Sequence, residues 1–201
     1  MRIAEKHPKI IGVDEAGRGP LAGPVVAAAV MIQKNIVKGI DDSKSLSSKK
    51  REVLLPLIEE KSAAFGIGIA SHKEIDQLNI LNASFLSMKR AVKSLNYCYI
   101  NRNGYPLKNA MLLIDGPFTI PHFSYPQKAI IRGDSKVYEI SAASIIAKVV
   151  RDRIMCAFDK RYPEYEFCTH KGYPTKRHKA LIKKYGSSPI HRKTFKGVKS
   201  E

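Results

Sequence analysis

The sequence predicts an α/β domain built on a mixed β-sheet. Three observations predict it. Short apolar runs bounded by turn residues recur at 10–13, 24–32, 64–70 and 110–114. Longer stretches with apolar residues at helical spacing lie between and after them. The chain has 201 residues, 44% of them hydrophobic, which suits one domain with a sizeable core.

The run IIGV at 10–13 reads as a buried strand, and PVVAAAVMI at 24–32 as its neighbour, so the two form a hairpin. Residues 40–46 (IDDSKSL) form a loop. Ser47 or Ser48 then caps a helix over 49–61, with Leu54, Leu57 and Ile58 on one face. AFGIGIA at 64–70 alternates with small residues and reads as a third strand. Helical spacing resumes at Lys73 and continues, with a break, to about Leu95. Residues 101–108 are a polar turn region. AMLLI at 110–114 is another buried strand, and 129–131 a short one leading to Arg132-Gly133-Asp134-Ser135-Lys136. A long helix is expected over 138–160, and a shorter one after Thr175. The stretch from Gly186 is basic and turn-rich. There is no internal repeat, so the expectation is a single domain over 1–201. Its core spans about 8–160, with a helical and basic C-terminal region over about 161–201.

Lys and Arg number 35 against 18 Asp and Glu, a net charge of +17. Such an excess points to a polyanionic partner, nucleic acid or anionic lipid. No long apolar span or basic amphipathic anchor supports a membrane, so nucleic acid is favoured over lipid and over a merely solvated basic surface. The three cysteines, Cys98, Cys156 and Cys168, include no CxxC pair, and their odd count argues against a disulfide framework. Reduced thiols and a cytoplasmic location are expected. The N-terminal nine residues lack an apolar segment of the kind a signal peptide needs.

The segment Val13-Asp14-Glu15-Ala16-Gly17-Arg18-Gly19-Pro20 carries the most chemistry. Two carboxylates at the end of a buried strand are costly unless a cation compensates them. Hard divalent cations take oxygen ligands, so Mg²⁺ or Mn²⁺ suits this place. The two glycines let backbone approach a ligand, with a guanidinium between them. A second strand-like run ends in Asp115, and Asp134 follows in a turn between glycine and cationic residues. If the two strands are neighbours, Asp14, Glu15, Asp115 and Asp134 can hold two metals about 4 Å apart. Each acid alone also fits a solvated turn or a helix cap. Asp152, four residues after Lys148, reads as its ion-pair partner or as a group orienting the site. Lys44, Arg132, Lys136, Lys148 and Arg151 suit phosphate contacts, or a solvated face. Tyr173, in His170-Lys171-Gly172-Tyr173-Pro174, suits stacking on a sugar or base, or a half-buried surface position. His170 fits a proton shuttle or a structural loop residue equally.

The motifs Gly12-Val13-Asp14-Glu15-Ala16-Gly17-Arg18-Gly19-Pro20-Leu21-Ala22-Gly23-Pro24-Val25 and Asp42-Ser43-Lys44-Ser45-Leu46 belong to a wider ordered set. Leu113-Ile114-Asp115-Gly116, Arg132-Gly133-Asp134-Ser135-Lys136 and the run SAASIIAKVVRD at 141–152 follow. His170-Lys171-Gly172-Tyr173-Pro174-Thr175 and Ser188-Pro189-Ile190-His191-Arg192 complete it. In this order the chain resembles the bacterial type 2 ribonuclease H family, ribonuclease HII. The resemblance implies a ribonuclease-H-like fold, a five-stranded mixed sheet flanked by helices with a helical C-terminal region. It implies endonucleolytic cleavage of the RNA strand of RNA–DNA hybrids, and nicking 5′ to single ribonucleotides embedded in duplex DNA. Two-metal-ion hydrolysis would leave 3′-hydroxyl and 5′-phosphate ends. The family's metal ligands map onto Asp14, Glu15, Asp115 and Asp134. Gly17, Arg18, Gly19 and Tyr173 would recognise the ribonucleotide, and Lys44, Lys136 and Lys148 would anchor the backbones. A cytoplasmic monomer acting in ribonucleotide excision repair and DNA replication is the corresponding expectation.

The related type 3 enzymes usually carry an N-terminal substrate-binding domain and lack an arginine in the glycine turn. Arg18 and the short lead-in before the first strand favour type 2. The stretch 97–108 is longer than the family's usual connection. Two rivals make different predictions. A non-catalytic nucleic-acid module would need no divalent ion. A resolvase-like or integrase-like nuclease would cut branched or all-DNA substrates.

Overall fold

The computed structural model describes residues 8–33, 39–40 and 46–198. Five strands form one mixed sheet: β1 (Lys9–Ala16), β2 (Val25–Ile32), β3 (Ser62–Ala70), β4 (Ala110–Asp115) and β5 (Gln127–Ile130). Their spatial order is β3-β2-β1-β4-β5. β1 and β2 pair antiparallel, with Val13 opposite Ala29, which is the expected hairpin. β3 extends it antiparallel, while β4 and β5 run parallel to β1.

Period-two alternation divides each strand between two cores. Ile11, Val13, Ala27, Ala29, Leu112 and Ile114 pack against helix α3 (Ile80–Asn103). Ala28 and Val30 face helices α1 (Ser48–Lys61) and α4 (Tyr138–Arg161) on the other side. Small residues let the helices come close. A side chain on Gly68 would meet the Ser87 carbonyl oxygen at 2.0 Å, and one on Gly12 would meet the Glu139 backbone at 2.1 Å. The second approach lays the start of α4 directly over the middle of β1.

Ser47 caps α1 by accepting from the Lys50 N–H at 3.3 Å. The inward stripe of α1 is Leu54, Leu55 and Ile58, not the expected set with Leu57, which is 41% exposed. The break in the next helical stretch separates α2 (His72–Leu78) from α3 at Asn79. α3 does not end near Leu95 but runs to Asn103, because Leu95 and Tyr99 are buried and Arg102 donates to the Ser62 and Ala63 carbonyls. Most of the long connection before β4 is therefore helix, ended by Gly104 in the left-handed conformation.

The C-terminal region adds two helices, α5 (Phe167–His170) and α6 (Lys176–Tyr185), the latter capped by Thr175. A third apolar cluster of Ala22, Met155, Tyr165, Phe167, Leu181 and Ile190 ties this region to α4 and to the β1–β2 connection. The segment after Gly186 is turn-rich as expected, and it is packed into the domain, since Ile190, His191 and Arg192 are buried. The expectation of reduced thiols is corrected at one pair: Cys156 and Cys168 form a disulfide, while Cys98 is free. The contact arises because the cluster packs the end of α4 against α5. Twelve residues of separation carry no spacing signature that would announce it. Among the described residues, no helix is long and apolar enough to cross a membrane.

Candidate active site

In the parallel β1–β4 pair Val13 lies opposite Ile114, so Asp14 and Asp115 leave adjacent strand ends at the same level. Val13 and Ile114 face α3, which turns the next side chain of each strand toward α4. Asp14 is almost fully buried. It accepts the Glu15 N–H at 2.7 Å and a hydrogen bond from the Ser144 side chain on α4. Burial pushes the Asp14 carboxyl well above the usual carboxylate range, and the charges of Glu15 and Asp115 push the same way. Glu15 is also raised, by burial first. Arg18 opposes that shift across 3.4 Å, and Asp115 adds to it.

Three carboxylates thus share one place in a strongly cationic chain, with one half-exposed guanidinium at the rim. Oxygen donors crowded beyond what local cations neutralise fit a hard divalent ion. Among the described residues, no group of three or more acid, histidine or cysteine side chains is drawn in around one ion-sized point. The fit therefore rests on donor type and shared charge. Asp134 stands next to this group. The Gly133 and Asp134 N–H groups donate to Asp115 Oδ1 at 2.7 and 3.4 Å, and Ser141 Oγ donates to the Asp134 carbonyl. Asp134 is buried and is not among the residues that line the cleft.

The cleft holds about 400 Å³ and is walled by Asp14, Glu15, Asp115 and Ser144 on one side and by Gly17, Arg18, Gly19 and Tyr173 on the other. Arg51 and Lys148 complete it. Gly17 has φ of +104°, and a side chain there would come within 2.1 Å of Arg151 Nε, so only glycine fits. Behind this turn lie two fully buried arginines, Arg151 from α4 and Arg192 from the C-terminal segment. Ala22 and His191 form a β-bridge, and the Arg192 N–H donates to the Leu21 carbonyl at 2.8 Å.

Tyr173 lies beside Gly19, where a side chain would come to 3.8 Å from its ring. Its ring lies beneath Lys148 Nζ and Arg151 Cζ, at 5.6 and 5.7 Å from its centroid. Asp152 holds Lys148 at 2.7 Å, the ion pair expected from their spacing. His170, His178 and His191 form a buried stack behind Tyr173. His170 accepts the Gly172 N–H through Nδ1 and pairs its Nε2 with the Tyr165 carbonyl, which is the structural role. The Ser188 N–H donates to His191 Nδ1, so His191 carries its proton on Nε2 and donates it to His178 Nε2 at 3.0 Å. His178 then donates from Nδ1 to the Tyr173 carbonyl at 3.0 Å. Burial pulls the pKa of His178 and of His191 down to about 4, which keeps this chain neutral.

One expected anchor falls elsewhere, and one is not described. Lys136 Nζ donates to the Ile131 carbonyl at 2.8 Å and does not line the cleft. Lys44 lies outside the described residues. Sequence reasoning missed Arg51 and Ser144 as cleft residues. It quoted Arg192 within a motif without giving it a role. Ser144 lies on α4, three residues after Ser141 and within one turn of it, and its side chain donates to Asp14.

A family model described as Ribonuclease HII matches residues 11–198. The chain is 50% identical over 185 residues to the Ribonuclease HII of Clostridioides difficile (strain 630), covering 92% of this chain and 68% of that one. It is 50% identical over 191 residues to the Ribonuclease HII of Vibrio vulnificus (strain YJ016), covering 94% and 87%. The crystal structure of the ribonuclease H2 from Pyrococcus horikoshii OT3 superposes with a TM-score of 0.73 at 30% identity, covering 94% of both chains. The sheet with its flanking helices is accordingly the ribonuclease-H-like fold, and the chain belongs to the ribonuclease HII family, endonucleolytic hydrolases of the ribonuclease H type.

Proposed function

We propose that this enzyme nicks duplex DNA on the 5′ side of a single embedded ribonucleotide and cuts the RNA strand of RNA–DNA hybrids, leaving 3′-hydroxyl and 5′-phosphate ends. One observation carries the reading: the carboxylates of Asp14, Glu15 and Asp115 share a cleft with the Gly17-Arg18-Gly19 turn and Tyr173. A group that recognises a sugar thus stands beside groups that suit metal-assisted attack on its phosphate. The net charge of +17 supports a polyanionic substrate.

Asp14, Glu15, Asp115 and Asp134 would hold Mg²⁺ or Mn²⁺, two ions in all, which when bound supply activation of water and stabilisation of the leaving 3′-oxygen. Arg18 and the backbone N–H groups of the glycine turn grip the 2′-hydroxyl and the neighbouring phosphate. Tyr173 stacks on the ribose, its backbone carbonyl held by His178 Nδ1. Lys148 reaches the phosphate backbone from a position fixed by Asp152. Lys136 and Lys44 would add contacts to the phosphate backbones.

The test is cleavage of a labelled DNA duplex carrying one ribonucleotide, with Mg²⁺, with Mn²⁺ and with chelator, beside an all-DNA control. The expected result is a metal-dependent nick 5′ to the ribonucleotide with the control intact. Binding without a nick, or cutting of the control, would overturn the reading.

A further inference from the structure

Arg192 is fully buried, far from the acidic cluster in sequence, and unused in the reading above. Its hydrogen bonds go to backbone carbonyls of one loop: Gly17 at 2.6 Å, Arg18 and Gly23 at 3.0 Å, and Pro24 at 3.2 Å. Arg151 donates to Pro24 and Ala22 of the same loop, at 3.0 and 3.3 Å. Burying two guanidiniums side by side is costly. The cost is visible in Arg192, whose pKa is pulled down to about 9 by burial first and then by the Arg151 charge. Simple loop closure does not require such a pair, since the loop is already joined at both ends to paired strands.

Peptide geometry shows what the arrangement achieves. In a trans peptide the C=O and the following N–H point in opposite directions. The described backbone contains no cis bond. Drawing the Gly17 and Arg18 carbonyls inward to Arg192 therefore turns the Arg18 and Gly19 N–H groups outward, toward the cleft that these residues line. Among the described residues, neither N–H donates to a backbone carbonyl.

We infer that Arg192 is a positioning residue of the reaction: by binding the Gly17 and Arg18 carbonyls it presents the Arg18 and Gly19 N–H groups as a fixed pair of donors to the ribonucleotide. The inference rests on the reading that this turn grips the 2′-hydroxyl. A lysine at the same place keeps the charge but not the fork, and can reach at most some of the four carbonyls. A second handle exists at the surface. Asp76 accepts the Lys193 and Thr194 N–H groups, both at 2.9 Å, and so fixes the segment that follows Arg192.

The experiment measures Kd for a duplex with one ribonucleotide and for the same all-DNA duplex, in Ca²⁺ to suppress cleavage. It compares the wild type with Arg192→Lys and Asp76→Ala, each checked for folding by thermal melting. The expected result is a wild-type preference for the ribonucleotide that falls about tenfold in Arg192→Lys. The fall in Asp76→Ala is smaller but in the same direction, and affinity for the all-DNA duplex stays unchanged. A purely structural role would lower the folded fraction without moving the ratio. If the wild type prefers the ribonucleotide and folded Arg192→Lys keeps that preference, the inference is overturned while the reading of the turn stands. If Arg192→Lys does not fold, an unchanged ratio in Asp76→Ala overturns the inference. If the wild type shows no preference, the reading of the turn fails and the inference falls with it.

Discussion

The acidic cleft and the buried polar layer behind its glycine turn stand back to back, yet they treat charge in opposite ways. In the cleft, burial first and neighbouring carboxylates second raise the proton affinity of Asp14 and Glu15, and the half-exposed guanidinium of Arg18 opposes the shift of Glu15. Behind the turn, Arg192 and the histidine chain commit their polar atoms to backbone carbonyls, N–H groups and each other. One atom of that layer departs from the pattern, Arg151 Nη1, which has no hydrogen-bond partner among the described residues. The difference separates two tasks. A buried polar group that is satisfied stiffens a scaffold, whereas one left under-compensated is held ready for a ligand.

The comparison breaks first at the acids. Asp14→Asn should abolish cleavage while leaving duplex binding largely intact, because binding draws on the cationic surface. A single-turnover assay beside a binding titration checks both. The next largest effect is expected at the turn. Gly17→Ala forces a side chain into Arg151 at a φ that L-residues rarely adopt, and should cost about 1–3 kcal/mol of stability together with most of the nicking activity. Denaturant unfolding reads the first and the nicking assay the second.

Tyr173→Ala sharpens the contrast on the substrate side. Loss of one stacking contact is worth about 1–3 kcal/mol, and should slow single-ribonucleotide substrates more than long hybrids. Equal losses on both would remove its recognition role. A different kind of effect is a pH dependence of stability set by the support layer. Folding holds His178 and His191 neutral down to about 4, while the unfolded rings take up protons below 6.5. The unfolded state therefore binds more protons between those values, and stability falls as pH drops through that window. Chemical denaturation across the window should show the slope, and His178→Gln should flatten it.

The cleft was more legible in the sequence than its support. Asp14, Glu15 and Asp115 stood out because each ends an apolar run, and strand pairing then had little freedom to separate them. Lys148 and Asp152 were legible from helical spacing alone. Arg192 was not, because the carbonyls it binds lie 168 to 175 positions earlier in the chain and carbonyls leave no mark on residue type. The same holds for the Cys156–Cys168 pair, whose partners meet only through the packing of Met155 and Phe167. Lys136 stands outside the cleft for the opposite reason. Its position beside Asp134 is local, but where a long side chain turns depends on a nearby carbonyl, here that of Ile131.

The central claim is that the cleft carries negative charge meant for divalent cations. Calorimetric titration of the wild type and of Asp14→Asn with Mn²⁺, without nucleic acid, tests it most directly. Saturable binding to the wild type, accompanied by a rise in melting temperature, and loss of both in the variant is the predicted result. Equal binding by the two proteins would contradict the account, since the ions would then be held by residues other than those that end β1 and β4.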